Sequence, residues 1–196
     1  MKNLYMVSSL IVISSMLFAC SSSDSANEHS NSTEINSVSD EEMVEGNSNP
    51  DIEDQLNLNI GDTAKINTTI STFEVTLNEV KRIDELEGDV SEADFFLLTE
   101  YTIKNVGNEN VDISEAISAL EATDMLDVTG EKNIAGRFES LHPLQGELKN
   151  GEEATGNGLY YAYDADEYYI KVTDGLVSSG GIKNQILFTV QRDEIE

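Results

Sequence analysis

Apolar residues are distributed along the chain in three regimes. From Leu4 to Phe18 they form a run softened only by serines and ending at Cys20. Over residues 21–55 no apolar period is sustained. Beyond that point they gather into short runs with a period of two, the signature of half-buried strands. Phe73, Val75 and Leu77 alternate with Glu74 and Thr76, after a β-branched stretch from Thr63 to Ile70. Phe95 to Val106 is the longest strand expected, with Leu97, Thr99, Tyr101 and Ile103 on one face. The stretch Asn105 to Asn110 is a turn by composition, after which Val111 and Ile113 resume the alternation. Another strand and turn are expected at Thr123-Asp124 and Val128-Thr129-Gly130. Further strands are expected at Ala154–Tyr163, Tyr168–Thr173 and Gln185–Gln191. Short strands punctuated by turns predict an all-β antiparallel sandwich of about seven to nine strands over 56–196. One segment reads differently. Ile113, Ile117 and Leu120 keep helical spacing, and Asp112 with Glu115 resembles a capping box, so a helical turn is expected before a strand near 119–124.

The first apolar run is about fifteen residues long, short of the roughly 17–25 that span a bilayer, and it follows Lys2. That is the build of a secretory signal segment. It ends in Leu17-Phe18-Ala19-Cys20, which resembles the bacterial lipobox. The resemblance implies cleavage between Ala19 and Cys20, and palmitate-type acyl chains carried through the Cys20 sulfur. Two or more acyl chains anchor a protein stably where one does not. Residues 1–19 are thus expected to be a lipoprotein signal peptide, and Cys20 the membrane attachment. Residues 20–55 are rich in Ser and Asn, and from 21 onward hold ten acidic residues and no Lys or Arg. Such a segment cannot bury enough surface to offset its ordering entropy, and is expected to be a disordered acidic linker.

Charge narrows the partners. The chain has 38 acidic against 11 basic residues, a formal net charge of −27. Phosphate backbones need Lys and Arg, so nucleic acid is excluded as a partner. Close contact with an anionic lipid surface is disfavoured for the same reason.

Several short motifs recur in a familiar order: Ile60-Gly61-Asp62-Thr63, the strand Leu98–Thr102, Ile103-Lys104-Asn105-Val106-Gly107-Asn108, Asp127-Val128-Thr129-Gly130, and Leu148-Lys149-Asn150-Gly151 running on to Gly156 and Tyr160. Together they resemble the telokin-like, immunoglobulin-like domain of unknown function carried by bacterial secreted lipoproteins and grouped with immunoprotective extracellular proteins. Asn150 stands where that family usually has Pro. The resemblance implies an immunoglobulin-like sandwich; its motifs are turns and say nothing of activity. Gly151 and Gly156 are expected at hairpin positions where a positive φ costs little.

Candidate chemistry is sparse. One Cys and two His leave no zinc set and no disulfide framework. His29 falls in the linker, His142 precedes Pro143 in a loop, and no Gly-x-Ser-x-Gly elbow occurs, so no enzyme activity is expected. No resident cofactor is expected. Calcium is the one ligand the pattern suggests: Asp84, Glu85, Glu87, Asp89, Glu92 and Asp94 place six carboxylates in eleven residues between two strands. The spacing is not that of an EF-hand. Five of seven tyrosines fall in 160–169. With Tyr160 and Ala162 inward, Tyr161, Tyr163 and Tyr169 point outward, either as contacts for a protein or glycan or as cross-strand pairs stabilising the sheet. The function expected is a lipid-anchored, extracytoplasmic, non-catalytic binding module for an unknown protein or cell-envelope ligand, with a calcium-responsive envelope protein as the alternative.

Overall fold

A computed structural model describes residues 52–173, 175–177 and 180–195. Ala19, Cys20 and the linker up to residue 51 lie outside the described residues. The first half contains β1 (Gln55–Leu58), β2 (Thr63–Asn67), β3 (Thr72–Ile83), β4 (Glu85–Leu86), β5 (Asp89–Val90), β6 (Phe95–Asn105), β7 (Val111–Asp112) and α1 (Ile113–Ser118). The second contains β8 (Glu121–Thr123), β9 (Glu131–Lys132), β10 (Glu147–Leu148), β11 (Glu153–Ala162), β12 (Glu167–Val172), β13 (Gly175–Val177), β14 (Gly180–Ile182) and β15 (Ile186–Gln191), with 3-10 turns at Ala135–Arg137 and Arg192–Glu194.

Two sheets enclose one core. The first has the order β11-β6-β3-β2, the second β1-β15-β12-β8-β9. Ile66, Phe73, Val75, Leu77, Tyr101, Ile103 and Tyr160 of the first sheet meet Ala122, Tyr168, Ile170, Ile186, Phe188 and Val190 of the second in a single buried cluster. This is the β-sandwich the alternation predicts, each inner face supplied by every second residue, and it has the immunoglobulin-like build that the resemblance implies. All pairs in these two sheets are antiparallel except β1 with β15. The exception arises because β1 is joined to β15 by no hairpin; the entering chain lies beside the last strand and then crosses to β2 in the other sheet.

The core face changes phase once. Phe73, Val75 and Leu77 are buried, but the next inward residue of β3 is Val80. A bulge between Leu77 and Glu79 absorbs the extra residue. There Asn78 Nδ2 donates to Thr102 Oγ1 at 2.9 Å and to Glu100 Oε1 at 3.3 Å.

The predicted helical turn is α1, six residues long. Asp112 Oδ1 accepts from the Ser114 N–H at 2.9 Å and the Glu115 N–H at 3.3 Å, making the side-chain half of the capping motif. The Ser114 hydroxyl, with these N–H groups, holds the Asp112 carboxyl below its usual range. A lowered folded value stabilises above the unfolded value of about 3.9, and that stability is lost as pH falls through the folded value. Asp112→Ala is expected to cost about 1 kcal/mol at neutral pH. Asp112→Asn keeps the cap and flattens the residue's share of the acid dependence, as denaturant melts taken from neutral pH downward would read.

Two glycines behave differently from one another. Gly151 has φ +81 in the turn before β11, as expected, and its N–H donates to Asn105 O at 2.8 Å. The expectation of a positive φ at Gly156 is corrected. It lies inside β11, and what demands glycine there is crowding: a Cβ would stand 2.5 Å from His142 O. The loop before β11 crosses here, with the Asn157 N–H donating to His142 O at 2.8 Å.

A second apolar cluster covers the outer face of the first sheet. Phe96 and Leu159 are buried there beneath Ile134, Ala135 and Phe138, with Tyr161, Leu141 and Ile83 packed around them. The Ile134 N–H donates to Leu159 O at 2.8 Å, so the segment also covers the free edge of β11. In the main core Tyr101 and Tyr160 share a hydroxyl–hydroxyl hydrogen bond at 3.1 Å. Burial pushes the Tyr101 phenol up to about 12 and raises that of Tyr160 as well.

Candidate functional site

β8 leaves the second sheet at Thr123 and returns as β9 at Glu131, and the loop between them is tightly held. Thr123 Oγ1 accepts from the Met125 N–H at 3.1 Å and lies 2.9 Å from Met125 O, to which it donates. The Gly130 N–H donates to Glu121 Oε2 at 3.0 Å. From β12, the Lys171 ammonium donates to Leu126 O at 3.1 Å and Val128 O at 2.5 Å. With the carbonyls of Met125, Leu126 and Val128 satisfied, the loop turns these three side chains toward solvent, all exposed.

Between this loop and the end of β11 lies an apolar cleft of about 170 Å³. Met125 and Val128 form one wall and Tyr161 and Tyr163 the other, over Leu97, Ala122 and Tyr168. Asp124 and Glu131 also line it; none of its lining residues is Lys, Arg or His. Tyr163 is 57% exposed and Met125 56%. Large apolar side chains left in solvent on a held loop make the cleft a candidate contact surface.

The three tyrosines expected to point outward have separate fates. Tyr163 stands in solvent at the cleft. Tyr161 lines the cleft but is half-buried, its ring 5.7 Å from that of its register partner Phe96. It points out of the main core, yet the face it points to is covered by the second cluster. Tyr169 lies apart from the cleft lining; its hydroxyl donates to Glu167 Oε2 at 2.6 Å.

The acidic stretch 84–94 folds as the β4–β5 hairpin, and its carboxylates are drawn to different partners. Asp84 takes Arg82 Nε at 3.0 Å, and Glu87 accepts the Ser140 N–H. Contact with Ser140 holds the Glu87 carboxyl below its usual range. Asp94 Oδ2 accepts the Asp164 N–H at 2.9 Å. Asp164 itself pairs with Arg82 at 3.4 Å and Arg192 at 3.3 Å. The structure therefore does not gather Asp84, Glu85, Glu87, Asp89, Glu92 and Asp94 into one ligand set. Among the described residues no group of three or more His, Cys, Asp or Glu side chains is placed to hold a metal ion. His142 is committed through its backbone to Asn157, whose Oδ1 accepts its N–H at 3.1 Å.

The sequence pattern predicts a strand at Thr123-Asp124 and a turn at Val128-Thr129-Gly130, and does not reveal the cleft beside them. The signal was present: Met125, Leu126 and Val128 put three large apolar residues into a segment bounded by Asp124 and Gly130, where turn chemistry alone calls for polar ones.

No family model matches the chain, and no curated protein matches it. Solved structures do. MPT63, a secreted protein from Mycobacterium tuberculosis, superposes with a TM-score of 0.50 at 10% identity, covering 70% of this chain and 97% of its own. The yjhA protein from Bacillus subtilis superposes with a TM-score of 0.51 at 17% identity, covering 68% of this chain and 99% of its own. At such identities the likeness concerns the fold, and in both cases the sandwich accounts for nearly the whole of the other protein.

Proposed function

We propose that the protein is a lipid-anchored, extracytoplasmic, non-catalytic binding module. Cys20 carries the lipid, residues 21–55 space the domain from the bilayer, and the sandwich presents a contact surface. The observation that supports this most directly is the cleft, where Met125, Val128 and Tyr163 are held open to solvent by a loop fixed to Lys171 and Glu121. A preorganised apolar recess spends little ordering entropy on binding. The secreted character of MPT63, which shares the fold, agrees with an extracytoplasmic setting.

Two measurements test the reading. Cys20→Ala is expected to move the protein from the membrane fraction into the medium; a variant that stays membrane-bound overturns the lipid anchor. A photo-crosslinking residue in place of Tyr163 is expected to capture a discrete partner in cells, and one in place of Lys104, on the first sheet, is not. Equal capture at both positions, or none at Tyr163, overturns the cleft as the contact surface.

A further inference from the structure

We propose that the cleft takes a single apolar side chain from a basic segment of a partner protein. This rests on the binding-module reading and names the partner's chemistry.

Size sets the first limit. Pockets for drug-sized ligands run to about 300–1,000 Å³, whereas a cavity of roughly 150 Å³ holds one benzene. At about 170 Å³ the cleft accommodates one aromatic or branched aliphatic group. The tyrosine walls and the Met125 thioether are the adaptable apolar surfaces that hold such an anchor.

Charge sets the second. Asp124 and Glu131 line the cleft, and Asp127 lies exposed in the same loop. Lys132 is paired with Glu121 Oε1 at 2.5 Å, and Lys171, bonded to Leu126 O and Val128 O, keeps its charge but is outnumbered by Asp124, Asp127 and Glu131. The recess is thus apolar at its floor and anionic at its mouth, within a chain of net charge −27. An acidic segment would be repelled. A neutral one would gain nothing from the carboxylates. A segment with Lys or Arg flanking an aromatic or aliphatic residue satisfies both features. Opposed potentials of this kind raise the association rate and make it fall with salt.

The test uses the full-length chain and three labelled synthetic peptides: Lys-Lys-Phe-Lys-Lys, Lys-Lys-Ala-Lys-Lys and Glu-Glu-Phe-Glu-Glu. The first is expected to bind, the second at least about tenfold more weakly, and the third not measurably. Met125→Asp is the sharpest variant. It adds negative charge and spoils the apolar wall, so affinity for the first peptide is expected to fall although the general attraction rises. Its melting curve verifies folding; because Met125 is exposed, the change breaks no core contact. The pair Asp124→Asn with Glu131→Gln is expected to weaken binding and its salt dependence, and the pair Glu85→Gln with Asp89→Asn, on the β4–β5 hairpin, to change neither. Equal binding of the Phe and Ala peptides, or equal loss in both carboxylate pairs, means diffuse attraction to an acidic chain and overturns the proposal. If no peptide binds while crosslinking at Tyr163 still captures a partner, the basic-segment inference fails and the binding-module reading stands. If both fail, the cleft is no contact surface.

Discussion

Gly158→Ala is expected to destabilise the domain by about 2–3 kcal/mol, although it adds one methyl group in the middle of a strand. A Cβ there would lie 2.6 Å from Thr99 Oγ1, 2.8 Å from Tyr101 Cε2 and 3.1 Å from Tyr160 Cε2. None of these atoms is the free end of a flexible side chain. Thr99 sits opposite Gly158 in the β11–β6 register, and both tyrosines are fully buried. The rings give way only by parting their hydroxyls, and each would then leave a buried polar group unpaired. Alanine would ordinarily favour a strand over glycine, so backbone entropy works against the expected sign. The urea midpoint reads the result at once. A loss below about 0.5 kcal/mol would show that the tyrosine pair repacks freely and that Gly158 is an ordinary strand residue.

Asn184→Ala is expected to cost about 3 kcal/mol, the other large loss. This side chain is almost wholly buried and uses its amide on two other segments, the chain at Glu53 and β2. Nδ2 donates to Glu53 O at 3.2 Å and Lys65 O at 2.9 Å, while Oδ1 accepts the Asn67 N–H at 2.9 Å. Alanine takes this partner from Glu53 O and the Asn67 N–H, while Lys65 O keeps the Gln55 amide at 2.7 Å. Asn184→Asp is expected to be at least as damaging, because it keeps the acceptor and turns a carboxylate toward two carbonyls. Limited proteolysis should accompany the melts: once released from Asn184, the segment around Glu53 is expected to be cut before the sandwich unfolds. An Asp variant as stable as the parent would remove the amide from this role.

These two positions show what a sequence can and cannot tell. Alternation locates strands because a half-buried sheet exposes every second residue. Phe73, Val75 and Leu77, or Leu97 through Ile103, therefore announce their faces in advance. The turn beginning at Asn105 is legible for a similar local reason, since Asn105 Oδ1 accepts the Gly107 N–H two residues on, at 2.9 Å. Asn184 has no such local mark. Its partners are more than a hundred residues away, and an Asn among turn residues looks the same whether it faces water or knits three segments together. Residues 131–148 were opaque for another reason. Ile134, Phe138, Leu141, Leu144 and Leu148 keep a helical spacing, but Gly136, Pro143 and Gly146 interrupt it. The chain instead makes a 3-10 turn at Ala135–Arg137, covers the first sheet from outside as far as Leu141, and then turns Leu144 and Leu148 into the main core. That covering layer is why Tyr161 is not free. For the cleft, residue types were visible and convergence was not. Met125 and Tyr163 are far apart in sequence and meet only because β8 and the end of β11 come together at the sandwich edge.

The parallel pairing of β1 with β15 gives the domain a direction under load. In the proposed arrangement a pull from the membrane side enters near Glu53, and one from a bound partner enters at the loop after β8. These points lie on opposite sides of the second sheet, with β15 and β12 between β1 and β8. Three interstrand steps make that about 14 Å. Tension must therefore cross the hydrogen-bond ladders between strands instead of running down a single one. β1 offers only two registered pairs to β15, Gln55 with Ile186 and Leu58 with Phe188. The Asn184 bond to Glu53 O, just ahead of them, is the first to bear the strain. In the proposed arrangement one buried amide thus sets where the sandwich first gives way, at the edge of the sheet far from the cleft, so that β1 is released before the strands that hold the cleft are disturbed.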